Sequence, residues 1–304
     1  MGKILAIDIG GTFIKYGIVE PDNDISVKYK IRTPEVDTKE KFYDYLCENI
    51  CELEGVDGIG ISVPGLVDSD GNIRSYAAPR LNVLFGTNIT REIRERRLLP
   101  AAAINDAKAA GLCELKLGTA RGTKLSAFLI IGTGGGGCIC LEDDVFWGTD
   151  NFAGEFHFMA YFNEKNGDTM KVGRTTGMFG LINRYNESVD KNHQVSLGEE
   201  IIRRYFDGEE TAVRIVEEWI HRIALQCLSI AVVVNPEVLC IGGGISEEAW
   251  FIERLKREYR KVEGEHFEGE HFLSTHLETC MYRNDSNLLG AALYVRRKMK
   301  EVIY

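Results

Sequence analysis

Short apolar runs alternate with amphipathic stretches in the first part of the chain. Each run ends at a glycine, a proline or a polar turn, which is the pattern of buried strands. The runs predict strands at residues 3–9, 14–19, 25–31, 56–63 and 101–104. Apolar residues recur at helical spacing from Phe42 to Leu53, after Asp37-Thr38-Lys39-Glu40, which has the form of a helix capping box. Residues 107–117 predict a second helix, which Gly118 ends.

The same order of elements begins again in the second part of the chain. Strands are predicted at residues 125–131, 137–141, 238–241 and 277–282. Helices are predicted at residues 200–206, after Ser196-Leu197-Gly198-Glu199, at 211–234, at 246–260 with Ser246 as its cap, and at 286–299. Each half has a Gly-rich turn after its first strand, which predicts two related α/β domains with a cleft between them. We expect domains at residues 1–117 and 118–285, with the C-terminal helix 286–304 packing back on the first.

Composition and charge narrow the classes of protein. The chain has 304 residues and a net charge of −10, and it has no basic block that would neutralise nucleic-acid phosphates. Its longest apolar stretch, residues 223–234, is too short to span a bilayer, and the N-terminus lacks the apolar core of a signal peptide. We therefore expect a cytoplasmic protein that binds neither membranes nor nucleic acids. The eight cysteines include no C-x-x-C pair, so we expect them to be reduced and mostly buried.

Three glycine-rich turns, each after a predicted strand, carry the candidate chemistry. They are Asp8-Ile9-Gly10-Gly11-Thr12, Gly132-Thr133-Gly134-Gly135-Gly136-Gly137 and Gly242-Gly243-Gly244. Glycine lets the backbone approach a phosphate closely and present its N–H groups. One such turn could be an ordinary hairpin, but three at wide separation indicate a nucleotide held between two domains. Asp8 can hold a hydrated magnesium ion, because Mg²⁺ prefers one or two carboxylates and keeps its waters.

The first turn differs from two common nucleotide-binding motifs. No third glycine follows Gly10-Gly11 at the spacing of a dinucleotide fingerprint, and the next element is a strand instead of a helix. Lys15 follows Phe13-Ile14 and not a glycine, which excludes a Walker loop. The pattern therefore disfavours a dinucleotide-dependent oxidoreductase.

These turns, together with five further segments, resemble the ROK family of sugar kinases, within the actin-like ATPase superfamily. The further segments are Gly60-Ile61-Ser62-Val63-Pro64-Gly65-Leu66-Val67-Asp68, Asn105-Asp106-Ala107, Gly154-Glu155, Asn235-Pro236-Glu237-Val238 and Gly290-Ala291-Ala292. The resemblance implies two ribonuclease H-like domains, Mg²⁺-dependent transfer of the γ-phosphoryl group of ATP to a sugar hydroxyl, and a homodimer. A transcriptional repressor of this family would carry a DNA-binding domain before the first phosphate loop, which here begins at Asp8, so we expect a kinase.

The resemblance also assigns roles to individual residues. Asp106 matches the catalytic base, although on the residues alone it could simply cap the helix that starts at Ala107. The implied sugar contacts are Gly65, Asn105, Asp106, Glu155 and His157. The implied nucleotide contacts are Gly10, Gly11, Thr12, Lys15, Gly132, Thr133, Gly134, Gly135, Gly242, Gly243 and Gly244. Two of these residues keep an ordinary alternative, since Lys15 could be a solvated strand residue and His157 a packed loop residue.

One motif of the family is altered. Many members bind a structural zinc through the histidine of G-E-x-G-H and a cysteine cluster, but here the motif is Gly154-Glu155-Phe156-His157-Phe158. The counterpart of the cysteine cluster, residues 172–178, contains no thiol, so we expect no zinc. The family's glutamate at the anomeric end of the sugar falls near Gly180. We therefore expect the enzyme to accept a substituted sugar such as a β-glucoside or an N-acetylated hexose. Glucose, fructose and N-acetylmannosamine remain alternative substrates, and a sugar sensor without catalysis remains an alternative function.

Overall fold

The computed structural model describes residues 2–50, 54–132, 134–163 and 167–301. The chain forms two compact units. Unit 1 comprises Met1–Gly118, Asp144–Ala153 and Asn284–Tyr304, and unit 2 comprises Thr119–Asp143 and Gly154–Arg283. The sequence prediction assigned residues 144–153 to the second domain, whereas they belong to unit 1. The reason is their contact with the C-terminal helix: the ring of Trp147 lies 5.8 Å from that of Tyr294, and Asp144 pairs with Arg297.

Unit 1 is built on a five-stranded sheet with the order β3–β2–β1–β4–β5. The first three strands form an antiparallel meander, and β4 and β5 run parallel to β1. The strands are β1 (Lys3–Ile9), β2 (Phe13–Val19), β3 (Ile25–Arg32), β4 (Val56–Val63) and β5 (Ala101–Asn105). Each predicted strand is present, with its ends displaced by at most one residue, because apolar runs bounded by turn residues are a strong local signal.

The described part of unit 1 contains four α-helices, two of which approach each other closely at a glycine. They are α1 (Lys39–Asn49), α2 (Ile89–Arg97), α3 (Asp106–Lys116) and α9 (Ser286–Glu301). A Cβ atom on Gly290 of α9 would lie 1.9 Å from the carbonyl oxygen of Ala109, so this glycine permits the close approach of α9 to α3. Thr38 caps α1 by accepting a hydrogen bond from the Lys41 amide. The helix ends at Asn49, and the predicted continuation to Leu53 lies outside the described residues.

A second five-stranded sheet has the order β12–β11–β6–β7–β8, and all of its strands except the two-residue β8 belong to unit 2. Its central strand β6 is antiparallel to β7 and parallel to β11, which is parallel to β12. Counted from the first strand of each sheet, the order is the same as in unit 1. The strands are β6 (Leu125–Ile130), β7 (Gly136–Leu141), β8 (Asp144–Val145), β11 (Val238–Gly242) and β12 (His276–Thr279), with β9 (Ala160–Asn163) and β10 (Asp168–Lys171) forming a separate antiparallel pair.

The core of unit 2 surrounds one long helix. The helices are α4 (Gly173–Thr176), α5 (Met178–Asn186), α6 (Gly198–Phe206), α7 (Glu210–Val234) and α8 (Ala249–His266). Trp219, Ile223 and Cys227 of α7 are buried in its centre, as expected for a helix that is apolar nearly all round.

Two predicted helix caps are wrong. Ser246 lies in a short 3₁₀ turn before α8, and its hydroxyl donates to the Gly243 carbonyl instead of accepting from a helix amide. No side chain caps α6, so Ser196 does not act as its cap. Short polar side chains can bond to nearby backbone in several ways, and a local pattern does not decide among them.

Two general features of the described residues bear on the expected environment of the protein. Within the described ranges, no helix offers the length and hydropathy that crossing a lipid bilayer would need. The cysteines of these ranges are all free thiols, and all of them except the half-buried Cys47 are buried. This agrees with reduced cysteines that serve as small core residues.

Candidate active site

The candidate residues of unit 1 lie at one edge of its sheet. Asp8 is next to the end of β1, Gly65 follows β4, and Asn105 ends β5. Ligands bind at the carboxyl ends of the strands in open α/β sheets. Because β4 separates β1 from β5, Asp8 and Asn105 are on strands about 10 Å apart.

Asp8 is a buried carboxylate with its own set of donors. Its Oδ1 atom accepts hydrogen bonds from Ser62 Oγ at 2.9 Å and from Asn287 Nδ2 at 3.0 Å. Burial raises the pKa of Asp8, although these two donors and the charge of Lys15 act to lower it. Lys15 is directly opposite Asp8 in the antiparallel ladder and is half-buried. No described residue donates to the second oxygen, Oδ2, which leaves it for a ligand.

The glycines of the turn after β1 are closely surrounded by other atoms of unit 1. The Gly10 amide donates to the Phe13 carbonyl at 3.0 Å, and a Cβ atom on Gly10 would lie 2.8 Å from that oxygen. A Cβ atom on Gly11 would lie 2.8 Å from Ala78 Cβ. Tight turning and packing therefore account for both glycines, and Thr12 beside them is exposed.

Asn105, and not Asp106, is the cap of helix α3. The N-cap of α3 is Asn105, whose Oδ1 accepts from the Lys108 amide at 3.0 Å. Its Nδ2 donates to the Gly65 carbonyl at 2.8 Å and to Asp106 Oδ1 at 2.9 Å. The Ala107 amide also donates to Asp106 Oδ1, at 2.8 Å. The alternative in which Asp106 caps the helix is therefore wrong, because Asp106 is already inside it and half-buried.

The turn at Gly65 packs against Ser75, which also forms a hydrogen bond with the turn's backbone. Gly65 has a φ of +90°, which favours glycine, and a Cβ atom there would lie 2.9 Å from Ser75 Oγ. Ser75 Oγ in turn accepts from the Leu66 amide at 2.9 Å. Ser75 and Asn287 were not singled out from the sequence, and no local pattern marks them. Ser62 had a signal, because it is a polar residue inside an apolar strand.

The second glycine loop, after β6, contrasts with the first. A Cβ atom on Gly132 or Gly134 would meet no atom within 4 Å, and neither residue has a positive φ. Packing and turn geometry therefore do not account for these two glycines, whereas Gly135 has a φ of +88°. Open space beside backbone is what close approach of a ligand requires. Thr133 lies outside the described residues.

The loop after β11 contacts the loop after β6. The Ile131 amide donates to the Gly242 carbonyl at 2.8 Å. Gly243 has a φ of +94°, and a Cβ atom there would lie 2.1 Å from the Ile131 carbonyl oxygen. Gly244 has no neighbour within 4 Å of its Cβ position, like Gly132 and Gly134. Unit 2 thus brings its two glycine loops together.

Glu155 and His157 lie in a segment of unit 2 that packs beside the loop after β6. Glu155 is buried, and its Oε2 is 3.6 Å from His157 Nδ1. Gly173 fits between the two segments, because a Cβ atom on it would lie 2.6 Å from the Gly134 carbonyl oxygen and 2.7 Å from His157 Cβ. The His157 ring also packs on Phe158, with centroids 4.1 Å apart.

The counterpart of the family's cysteine cluster is held by backbone bonds and packing. Thr176 is buried and its carbonyl accepts from Trp219 Nε1 at 2.9 Å, while the Met178 amide donates to the Gly132 carbonyl at 2.9 Å. In the parts of the chain that the structure describes, no three His, Cys, Asp or Glu side chains are grouped so as to bind a metal. The absence of zinc stays a prediction.

The chain is similar to known proteins over nearly its whole length. A family model described as ROK family matches residues 4–298. The chain belongs to the ROK family. This ROK protein is 32% identical over 302 residues to a beta-glucoside kinase of Listeria monocytogenes, a match that covers 96% of this chain and 97% of that protein. It is also 26% identical over 261 residues to an N-acetylmannosamine kinase of Vibrio cholerae, which covers 84% of this chain and 88% of that one.

The fold of this ROK protein is shared with solved structures. A ROK family protein from Streptococcus pneumoniae TIGR4, solved in complex with sucrose, has a TM-score of 0.85 and 27% identity and covers 98% of this chain and 99% of its own. The predicted α/β fold of the actin-like ATPase class is confirmed. The relatives are sugar kinases, and the use of ATP by such kinases implies a divalent metal.

Proposed function

We propose that this ROK protein is an ATP-dependent sugar kinase that phosphorylates a hexose hydroxyl, with the 6-hydroxyl of a β-glucoside as its preferred acceptor. The placement of Asp106 carries the proposal. It is a half-buried carboxylate at the end of a parallel strand, and the cap of its helix is supplied by another residue. The beta-glucoside kinase that matches nearly the whole chain supports a β-glucoside as substrate. A neighbour in complex with sucrose, which is a glycoside but not a β-glucoside, supports a substituted sugar in general.

Asp106 would act as the general base. As the sugar oxygen forms its bond to the γ-phosphorus and ADP leaves, the hydroxyl proton moves to the carboxylate. The Asn105 and Ala107 donors hold Oδ1, so the side chain is oriented before the sugar binds. Such preorientation removes part of the entropy that the transition state would otherwise cost. Gly65 and Asn105 are the proposed sugar contacts of unit 1, and Glu155 and His157 are those of unit 2.

The residues at the end of β1 fit a hydrated divalent cation. Asp8 Oδ1 is fixed by two neutral donors, while Oδ2 receives no hydrogen bond from a described residue. A carboxylate oriented in this way can accept from a water of Mg²⁺. When bound with ATP, the ion neutralises charge on the phosphate oxygens. Asp8 would therefore position the cation, and Lys15 opposite it would add a second positive charge.

The glycine loops would hold the nucleotide. Gly132, Gly134 and Gly244 carry most of this proposal, because the space beside them is open. Gly135, Gly242 and Gly243 would shape the loops around them. In unit 1, Gly10 and Gly11 would shape the turn beside Asp8, where the exposed Thr12 could donate to a phosphate. Since ATP is an intracellular substrate and the described cysteines are free thiols, we infer a cytoplasmic enzyme. The homodimer stays a prediction.

An N-acetylmannosamine kinase is the second candidate. The match to the Vibrio cholerae enzyme supports it, and the relation covers most of both chains. A panel of acceptors separates the two candidates, because specificity follows from a few contacts in the pocket.

The deciding experiment is a coupled ADP-release assay with Mg-ATP and a panel of acceptors. The panel contains glucose, fructose, N-acetylmannosamine, cellobiose and phenyl β-glucoside. We expect a β-glucoside to give the highest kcat/KM, and Asp106→Asn to lower kcat by about 10²–10⁴-fold. Asp150→Asn, at an exposed position of the same unit, is the matched control and should keep full activity. If sugars bind without stimulating ADP release, the chain is a sensor and the proposal is wrong.

A further inference from the structure

An exposed aromatic pair lies on unit 1. Tyr76 is 65% exposed and Phe85 is 45% exposed, and their ring centroids are 4.4 Å apart with an angle of 30° between the planes. The Tyr16–Tyr29 stack differs, because Tyr16 is buried. The Tyr76–Phe85 pair therefore presents aromatic surface to solvent that the core of unit 1 does not use.

The backbone beneath the pair is fixed by hydrogen bonds. The Arg74 amide donates to the Leu66 carbonyl at 2.8 Å, and the Gly86 amide donates to the Ile73 carbonyl at 2.9 Å. Leu84, next to Phe85, is buried in the core. The backbone beside the two rings is thus fixed, which reduces the entropy that binding against them would cost.

A short series of contacts connects the pair to the proposed base. Asn105 Nδ2 bonds both Asp106 Oδ1 and the Gly65 carbonyl. The Cβ position of Gly65 is 2.9 Å from Ser75 Oγ, and Tyr76 is the next residue. The aromatic pair is therefore one residue along the chain from Ser75, which packs against the proposed sugar contact Gly65.

We propose that Tyr76 and Phe85 form a platform for the aglycone of a β-glucoside, stacking on its aryl ring or on the apolar face of a second glucose. This inference rests on the proposed function and adds the residues that would favour a glycoside over free glucose. Aromatic rings stack in offset geometry at the spacing seen here, and such contacts act beyond simple burial. A second copy of the chain is a poorer occupant, because two rings are far smaller than the area of a standard protein interface.

The test compares a glycoside with the sugar that lacks the aglycone. kcat and KM are measured for phenyl β-glucoside, cellobiose and glucose with the wild type, Tyr76→Ala, Phe85→Ala and the double variant. We expect KM for the two glycosides to rise by about tenfold in the double variant, while kcat and the KM for glucose change by less than about twofold. Tyr76→Phe should behave as the wild type, because the ring is retained.

The control is an exposed aromatic residue elsewhere. Phe272 in unit 2 is 70% exposed and contacts the Phe267 ring, so Phe272→Ala removes a similar surface and should leave all three KM values unchanged. Equal changes for glucose and glycosides in the platform variants would overturn the platform, as would no change at all. A shift in the molecular mass of the variants in solution, without a change in the KM ratio, would assign the pair to contact between copies.

Failure of the proposed function can be told apart from failure of the platform. If the wild type phosphorylates none of the three sugars, the proposed function is wrong. Calorimetric titration with phenyl β-glucoside then tests the platform through binding alone. Binding by the wild type that the double variant loses would support the platform. Equal binding by both proteins, or none by the wild type, would overturn it.

Discussion

The sheets of units 1 and 2 share one strand order but differ in what lies at the ends of their central strands. In unit 1 the parallel neighbours Asp8 and Ser62 are hydrogen-bonded to each other. The corresponding neighbours in unit 2, next to the end of β6 and β11, are Leu129 and Ile241, which are buried in its core. The same position thus stabilises one unit by apolar burial and carries a costly carboxylate in the other.

The turns that follow these strands also differ, in how closely other atoms surround their glycines. In unit 1, Gly10 and Gly11 are closely surrounded by Phe13 and Ala78. In unit 2, Gly132 and Gly134 face open space. The two units therefore share one strand order but have different chemical groups at matching positions. At these matching positions unit 1 has a buried carboxylate, Asp8, and unit 2 has accessible backbone.

The largest effect expected from this comparison concerns the buried carboxylate of unit 1. Asp8→Asn keeps an oxygen that can accept from Ser62 and Asn287, but it removes the charge that would position the cation. We expect kcat/KM to fall by about 100-fold or more, as for other single groups that stabilise charge in a transition state. Thermal unfolding should occur at a higher temperature than in the wild type, because a desolvated charge is lost. Full activity of Asp8→Asn would show that the Asp8 charge is not needed for catalysis, and would contradict the functional difference inferred between the units.

The next effect concerns the way unit 1 holds its base. Asn105→Ala removes the helix cap and the donor to Asp106, so we expect kcat to fall by about tenfold or more and the free energy of unfolding by about 1 kcal/mol. Asn105→Ser can still cap α3 but cannot reach Asp106 as an amide does. It should therefore unfold as the wild type does and still lose kcat, and KM for the sugar should rise as well, because Asn105 is one of the proposed sugar contacts. Equal kcat in the wild type and Asn105→Ser would show that Asn105 only caps the helix.

A third prediction separates accessible glycines from packed ones within unit 2. Gly134→Ala adds a methyl group to open space, so stability should be unchanged while KM for ATP rises several-fold. Gly137→Ala places its methyl 2.5 Å from the Phe128 carbonyl oxygen and should lower the free energy of unfolding by about 1–3 kcal/mol. Urea unfolding and ATP titrations of both variants provide the measurement. Loss of stability in Gly134→Ala would mean that the loop is as closely packed as the first turn.

Much of the fold and part of the site could be predicted from local patterns. Apolar runs ending in glycine or polar residues marked the strands and placed Asp8, Gly65 and Asn105 at strand ends. The helix α2 escaped prediction, because most of its residues are charged and only Ile89 and Ile93 are buried. Such a segment is helical mainly through its packing on the rest of the unit.

The partners of the site residues could not be predicted, because they come from distant parts of the chain. Asn287 lies 279 residues from the aspartate to which it donates. The placement of residues 144–153 with unit 1 depends in the same way on Trp147 meeting Tyr294. One sequence gives no signal for such pairs, since each member is an ordinary residue in its local context.

The smallest effect compares two buried carboxylates under changing pH. Burial acts to raise the pKa of Glu258 in unit 2, but the hydrogen bond from His221 and the charges of Lys261 and Arg254 outweigh it, so its pKa is lowered. The pKa of Asp8 is raised, because burial outweighs its donors. Glu258 therefore stabilises the fold above its unfolded pKa, and this stabilisation is lost as pH falls through its folded pKa. Asp8 does the reverse, since its penalty is present at neutral pH and disappears on acidification.

Denaturant unfolding of the wild type, Glu258→Gln and Asp8→Asn, in buffer without divalent cations, measures this contrast. At pH 7.5 we expect Glu258→Gln to be less stable than the wild type by about 1 kcal/mol, and Asp8→Asn to be more stable. Both differences should shrink on acidification as each wild-type carboxyl group becomes protonated and resembles the amide, and the Glu258→Gln difference should persist to lower pH, because the pKa of Glu258 is lowered and that of Asp8 is raised. Asp150→Asn, which changes an exposed carboxyl group, should show no difference at either pH. Differences of the same sign for Glu258→Gln and Asp8→Asn at pH 7.5 would contradict the contrast between a paired carboxylate in unit 2 and a desolvated one in unit 1.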